Sequence, residues 1–353
     1  MTTPTDWIHA VPAAINHNIR QTALQHQDRL TKPRGALGLL ESLAVRLAAM
    51  QHSTTPSVDA VHISVFAGDH GVTQEGISAY PQAVTTQMLR NFAGGGAAIS
   101  VLAQELGAIL EIINLGTAQD PGLIPGVLDV RLGPGTANLL KQAAMSGDQL
   151  AQALSIGRQA VARAQQNGTQ LFIGGDMGIG NTTSAAALAC ALLAAPPADL
   201  AGAGTGLNRT ALSHKIRIIS QALALHAPEL TSPLACLRHL GGFEIAALTG
   251  AYLACAKIGM PALVDGFICS AAALCAVHLQ PATSDWLLYS HCSAEHGHRR
   301  ILDVLQAQPV LQLGMCLGEA SGAAVAVPLL RLACALHNNM ATFADAGVQE
   351  ALA

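Results

Sequence analysis

Aromatic side chains are scarce in this chain of 353 residues: two Trp, three Tyr and six Phe, or 3%. Charge is scarce as well, at 11%, although 51% of the chain is hydrophobic. Any core must therefore be built from Ala, Leu, Val and Ile, and the length suffices for one large domain or two unequal ones. With 18 basic and 22 acidic residues, net −4, the chain lacks the basic surface that nucleic acid calls for. No stretch joins a positive n-region to an apolar h-region, so no export signal is expected. Long unbroken apolar runs are missing too. Residues 320–336 are broken by Pro328 and Arg331, and residues 184–195 stop at Pro196-Pro197. Both fall short of the ~20 residues of a membrane span. The positive mean hydropathy of +0.38 then implies a very apolar interior rather than a membrane protein.

None of the eight cysteines forms a CxxC pair, and most lie within apolar runs. Reduced, buried thiols in a cytoplasmic protein are the expectation. Among the 14 histidines, the segment Ser290-His291-Cys292-Ser293-Ala294-Glu295-His296-Gly297-His298 superficially resembles a metal cluster. Its spacing fits no zinc template, so a polar loop at a strand end is the better reading, and no metal is expected.

Short apolar runs at 62–67, 110–115, 127–132, 171–173, 261–264 and 286–289 have the length of buried strands. Longer helical patterns separate most of them, at 83–106, 147–165, 208–225, 243–257 and 267–279. The first fifty residues read as two helical pieces broken at Thr31-Lys32-Pro33-Arg34-Gly35, the second carrying Leu37, Leu40, Leu43, Leu47 and Met50 at helical spacing. Strands alternating with helices imply an α/β fold: a mainly parallel sheet covered by helices on both faces. Residues 1–55 and 338–353 are expected to pair as a small helical subdomain beside an α/β domain of 56–337. Ligands of such sheets bind beyond the carboxyl ends of the strands. The polar, glycine-rich segments fall there: Gly68-Asp69-His70-Gly71, Gly116-Thr117, Asp265-Gly266, Ser290-His291 and the run from Gly174 to Thr183.

That last run, Gly174-Gly175-Asp176-Met177-Gly178-Ile179-Gly180-Asn181-Thr182-Thr183, carries the most information. Glycines permit a tight turn and close approach of backbone to a ligand, and Thr182 or Thr183 can cap the helix that opens there. A helix start of this kind favours an anion such as phosphate. No lysine follows the glycines, so it is not a Walker loop, and its spacing is not the dinucleotide fingerprint. A plain strand-to-helix turn would look similar; Asp176 at the strand's carboxyl end favours a site.

Several further segments occur in series: Leu30-Thr31-Lys32-Pro33-Arg34-Gly35-Ala36-Leu37-Gly38, Val65-Phe66-Ala67-Gly68-Asp69-His70-Gly71-Val72, and Ser78-Ala79-Tyr80-Pro81 with Gln87-Met88. Asn91-Phe92 with Gly94-Gly95-Gly96-Ala97-Ala98-Ile99 follows, then the Asp176 loop, and Gly202-Ala203-Gly204-Thr205-Gly206-Leu207 with Lys215. Gly241-Gly242-Phe243-Glu244, Asp265-Gly266-Phe267-Ile268 and Leu313-Gly314-Met315-Cys316-Leu317-Gly318-Glu319-Ala320-Ser321 complete the series. Together, from residue 30 to about 330, they resemble the nicotinate-nucleotide:dimethylbenzimidazole phosphoribosyltransferases of cobalamin biosynthesis.

The resemblance implies a Rossmann-like fold, a homodimer, and two small-molecule substrates without a cofactor. It implies transfer of 5-phosphoribosyl from nicotinate mononucleotide to 5,6-dimethylbenzimidazole, giving α-ribazole 5′-phosphate and nicotinate. It also implies Glu319 as general base, with Asp176 and Lys215 beside it. On the residues alone, Glu319 reads as a carboxylate capping the helix that follows, and Lys215 as an exposed lysine of an amphipathic helix. The same resemblance implies substrate contacts at Ser78, Tyr80 and Gln87, at Gly175, Met177, Gly178, Ile179, Gly180 and Asn181, at Gly202, Gly204 and Thr205, and at Ser290, Met315 and Leu317. Asp176 departs from the pattern, since relatives usually carry Glu there. A nucleoside phosphorylase, a phosphosugar isomerase or a non-catalytic nucleotide binder on the same architecture are the rival readings.

Overall fold

The computed structural model describes residues 5–204 and 206–349. Thr205 and the outermost parts of the expected subdomain, 1–4 and 350–353, lie outside the described residues. Among the described residues seven strands form one sheet: β1 (Val61–Gly68), β2 (Ile109–Gly116), β3 (Val127–Asp129), β4 (Leu171–Met177), β5 (Ala262–Val264), β6 (Leu287–His291) and β7 (Pro309–Leu311). Their order is β3-β2-β1-β4-β5-β6-β7, and every neighbouring pair is parallel. The α/β expectation holds. The chain builds outward from β1 to β3, then returns to start the other half at β4, so β1 and β4 flank the switch point of the sheet. Their alignment runs to the carboxyl end, with Phe66 beside Asp176 and Ala67 beside Met177.

Burial explains the composition. All eight residues of β1 are buried, as a central parallel strand covered on both faces requires. The helices Phe243–Ile258 and Phe267–Leu279 are apolar nearly all round and buried along most of their length, which is the interior that the hydropathy demanded. Phe243–Ile258 crosses Gly147–Gln166 at very short range. A Cβ on Gly157 would strike the Ala247 carbonyl, and one on Gly250 would strike the Leu154 carbonyl. Small residues are therefore what set this helix–helix distance.

Element boundaries differ from the sequence reading where local chemistry intervenes. The pattern at 83–106 is two helices, Ala83–Ala93 and Ala98–Leu106, because Gly94, Gly95 and Gly96 end the first one. The third strand stops at Asp129 rather than 132. The last strand, β7, has only three residues beginning with proline, too short for an apolar-run signal. The helices His17–Arg29 and Leu39–Gln51 are separated by residues 30–38, a longer break than Thr31–Gly35 suggested. Leu43, Leu47 and Met50 share a core with β1 and with the helix Ser321–Asn339, and that helix runs on through residues 337 and 338. Leu30 also forms an isolated antiparallel bridge with Thr342.

Candidate active site

Loops after β4, β5, β6 and β7 converge at the carboxyl ends of the strands, beside the switch point. They enclose a cavity of about 150 Å³ lined by Asp176, Asn181, Gly204, His291, Glu295 and Glu319, with Met177, Gly178, Ile179, Thr182, Gly266 and Leu317 completing most of its wall. A smaller adjoining cavity of about 30 Å³ takes in Ser78, Gly180, Ala203 and Lys215. Gly178, Ile179, Asn181, Thr182 and Gly204 line both, so the two cavities meet between the two glycine loops.

The turn after β4 is built by close packing. A Cβ on Gly178 would collide with the Gly68 carbonyl, so this glycine is required by the loop's seat on β1. Gly180 has φ +100°, a conformation that side chains resist, and acts as N-cap of the helix Asn181–Leu193. The expected threonine cap is not made. Thr182 Oγ1 instead accepts from Lys215 Nζ at 2.8 Å, and Thr183 Oγ1 is buried without a partner among the described residues. The same ammonium donates to the Gly202 carbonyl at 3.1 Å, so Lys215 ties the two glycine loops together. It is 1% exposed, which replaces the expectation of a surface lysine. Burial brings its pKa down to about 8, opposed by Glu295. Its hydrogen bonds go to these loops, and neither Asp176 nor Glu319 is its partner.

Asp176 and Glu319 are joined through the backbone, Glu319 N–H donating to Asp176 O at 3.1 Å. Asp176 Oδ2 accepts from Asn181 Nδ2 at 2.9 Å, and the Cys269 thiol donates to Oδ1 at 3.5 Å. Burial first, then the charges of Glu244 and Glu319, push the Asp176 pKa up to about 7. Behind it Asp265 accepts from Ala323 N–H at 2.7 Å, and burial followed by Asp176 pushes its pKa up to about 8. Asp176, Asp265 and Cys269 bring three ligand-type atoms within 4.8 Å of one another. Burial and the two acids hold the Cys269 thiol well above its ordinary pKa, so it stays a protonated donor and the group reads as a hydrogen-bonded acid cluster.

Glu319 does not cap its own helix. Ala320 is the N-cap of Ser321–Asn339, with no side-chain cap bond. Both Glu319 (φ 68°) and Ala320 (φ 72°) lie in the left-handed region, a strained pair that turns the glutamate side chain back over the site. Its carboxylate feels the backbone amide of Ile99, in the first turn of Ala98–Leu106, so it serves the helix start of a different element. Glu319 is 5% exposed, and its Oε2 is buried with no hydrogen-bond partner among the described residues. Burial raises its pKa, and the Ile99 amide only partly offsets that.

The remaining expected positions divide. Gly175 packs against Ala320, where a Cβ would sit 2.7 Å from the Ala320 nitrogen. Ser290 lies at the end of β6, its Oγ bonded to the Asp265 carbonyl and to His291 Nδ1. Met315 stands beside the cavity, its carbonyl accepting from Ala294 N–H. Tyr80 is 52% exposed and Gln87 is exposed, and neither lines either cavity. The helix Ala83–Ala93 buries Thr85, Leu89 and Phe92, which leaves Gln87 on the far side of the helix. Sequence reading placed Gly266 and His291 among the polar strand-end segments without naming them as site residues, and missed Phe267, Ser293, Glu295, Cys316 and Gly318 as wall residues. Their signal was position: most follow the carboxyl ends of β5 and β6.

Fold and site define a class: an open, doubly wound α/β protein that takes a small ligand at its switch point, with perturbed acids in the cleft. A family model described as phosphoribosyltransferase matches residues 13–348. The nicotinate-nucleotide–dimethylbenzimidazole phosphoribosyltransferase of Pseudomonas aeruginosa (strain UCBPP-PA14) is 61% identical over 332 residues, 94% of this chain and 95% of that one. The protein of the same name from Xanthomonas euvesicatoria pv. vesicatoria is 58% identical over 347 residues, 98% of this chain and 99% of its own. A crystal structure carrying that enzyme name, from Thermus thermophilus, is similar at a TM-score of 0.90 and 41% identity, covering 96% of this chain and 100% of that chain. The chain belongs to the nicotinate-nucleotide–dimethylbenzimidazole phosphoribosyltransferase family, and it is an enzyme of phosphoribosyl transfer. Among the described residues no helix is long and apolar enough to cross a membrane.

Proposed function

We propose that this enzyme transfers 5-phosphoribosyl from nicotinate mononucleotide to 5,6-dimethylbenzimidazole in cobalamin assembly, releasing nicotinate and forming α-ribazole 5′-phosphate. Nicotinate leaves from a pyridinium and needs no protonation. As one benzimidazole nitrogen attacks C1′, the ring gains positive charge and the N–H on its other nitrogen becomes acidic. Glu319 takes that proton. The observation that carries this role is that Glu319 lines the cavity and has a buried Oε2 without a hydrogen-bond partner among the described residues, together with a pKa raised by burial, which makes the carboxylate a stronger proton acceptor. Asp176 lies beside Glu319 with a pKa raised to about 7 by burial, and as it is one methylene shorter than the usual Glu it reaches the ligand less directly. The nucleotide phosphate sits between the loops at Gly178–Asn181 and Gly202–Gly204, where Lys215 holds both loops and the start of the helix Asn181–Leu193 supplies amides. Met177, Ile179 and Leu317 give apolar contact to a flat base.

Incubating both substrates with the enzyme should release free nicotinate, without dependence on inorganic phosphate. Glu319→Gln keeps the volume but removes the acceptor, so kcat should fall on the order of 10²-fold with base affinity little changed. A folded Gln variant that turns over normally removes Glu319 as the base. The reading extends to a cytoplasmic homodimer in which residues 1–55 and 338–353 act as a small helical subdomain. Sedimentation showing a fully active monomer at micromolar concentration would overturn the dimer.

A further inference from the structure

Away from the strand ends, two cavities of about 260 Å³ each lie between the chain-end helices and β6, and Arg20, Arg46 and Tyr289 line both. They share no lining residue with the two cavities of the candidate active site. Arg46 stands on the helix Leu39–Gln51, most of which is buried. Its Nη2 donates to the Leu287 carbonyl at 2.8 Å, and among the described residues no carboxylate forms an ion pair with it. Burial pulls its pKa down, while Tyr289 and Asp285 act against that fall. Tyr289 is 5% exposed, and its hydroxyl is buried with no hydrogen-bond partner among the described residues. Burial raises its pKa, so it remains a donor at neutral pH.

A half-buried guanidinium without a carboxylate ion pair and a buried phenol without an acceptor, both among the described residues, share one need that a single anion would meet. Buried charges are ordinarily paired, and the planar fork of arginine matches a carboxylate or phosphate with two parallel hydrogen bonds. We propose that this double cavity binds a small oxyanion, phosphate or carboxylate, with Arg46 as the fork, Tyr289 as a further donor and Arg20 at the mouth. The exposed Asp285, on the wall of one of the two cavities, opposes the anion and sets the sign of a test.

Binding of inorganic phosphate and, separately, of succinate to the full chain would be measured by calorimetry in wild type, Arg46→Gln, Tyr289→Phe and Asp285→Asn. Arg46→Gln should weaken the preferred anion by about tenfold or more at this site, and Tyr289→Phe by less. Asp285→Asn should tighten binding, and turnover of all three variants at saturating substrates should stay unchanged. The tighter of the two probes names the source, phosphate or carboxylate. Folded variants that bind both anions like wild type overturn the proposal. If Arg46→Gln fails to fold, the other two variants decide: no loss in Tyr289→Phe with no gain in Asp285→Asn overturns it as well.

Discussion

Two pairs of buried ionisable groups lie near the switch point, and they solve the same problem in opposite ways. At the end of β1, His70 Nε2 meets Glu244 Oε1 at 2.7 Å, with both side chains fully buried and Ser184 Oγ on the other ring nitrogen. Burial lowers the His70 pKa, but Glu244, then Asp69 and Asp176, more than reverse this, so the balance shifts toward the charged imidazole. At the ends of β4 and β5, Asp176 and Asp265 are equally buried but face another acid and a thiol. They escape the cost of a buried charge by taking up a proton, which is what pKa values of about 7 and about 8 express. A cation satisfies a fixed position in the scaffold. A proton can be given up when a ligand arrives, and Asp176, one member of the proton-buffered pair, lines the cavity.

Breaking the first pair should have the largest effect. His70→Leu leaves Glu244 buried and unpaired, and loss of one partner of such a pair costs about 3–5 kcal/mol. Denaturant unfolding measures it; a loss under about 1 kcal/mol would mean that the His70–Glu244 contact contributes little and that the two pairs do not differ in kind.

Asp265→Asn should sharpen the contrast through pH. The folded-state pKa of about 8 lies above the ordinary value of 3.8, so the folded form binds the proton more tightly than the unfolded chain. Stability from this group is complete below the unfolded pKa and is lost as pH rises through that window to the folded pKa. The Asn variant carries no such loss. Its melting temperature should exceed that of wild type near pH 8 and converge with it only well below the ordinary value of 3.8, where the acid is neutral in both states. A pH-independent difference would show that Asp265 is not the group titrating. Because Asp176 and Asp265 interact, the midpoint belongs to the pair.

The smallest effect concerns the thiols. Seven of the eight cysteines are buried and Cys316, on the cavity wall, is exposed. A thiol reagent should modify one group per folded chain quickly, and nicotinate mononucleotide should slow it, with little change in melting temperature. Two or more fast thiols would place mobile structure where the buried acid cluster with Cys269 is drawn as closed.

Much of the scaffold was legible because burial is written in composition and spacing. The run at 171–173 and the alanine-rich segment after it had to be strand and buried helix, and β4 and Asn181–Leu193 are those elements. The short β7 escaped because three residues carry no periodicity. In the site, the glycine turns and Asp176 were visible as strand-end chemistry. Lys215 was not, since its helix has an exposed side and only the fold shows that the lysine faces inward between two loops. Glu319 was visible as an acid before an apolar helix, yet the helix whose amide it meets lies more than two hundred residues earlier in the chain.

By itself, the sequence determined that the core is aliphatic, that strands and helices alternate, and that the polar turns gather at one end of a parallel sheet. Those properties follow from local spacing and from the cost of burying what is not apolar. Only the tertiary structure decided which polar groups face one another. The His70 pKa is raised because Glu244 is beside it, the Asp176 pKa is raised by burial and by neighbouring acids, and among the described residues Arg46 has no carboxylate ion pair. Charge state depends on neighbours within a few ångströms, and here those neighbours come from distant segments of the chain.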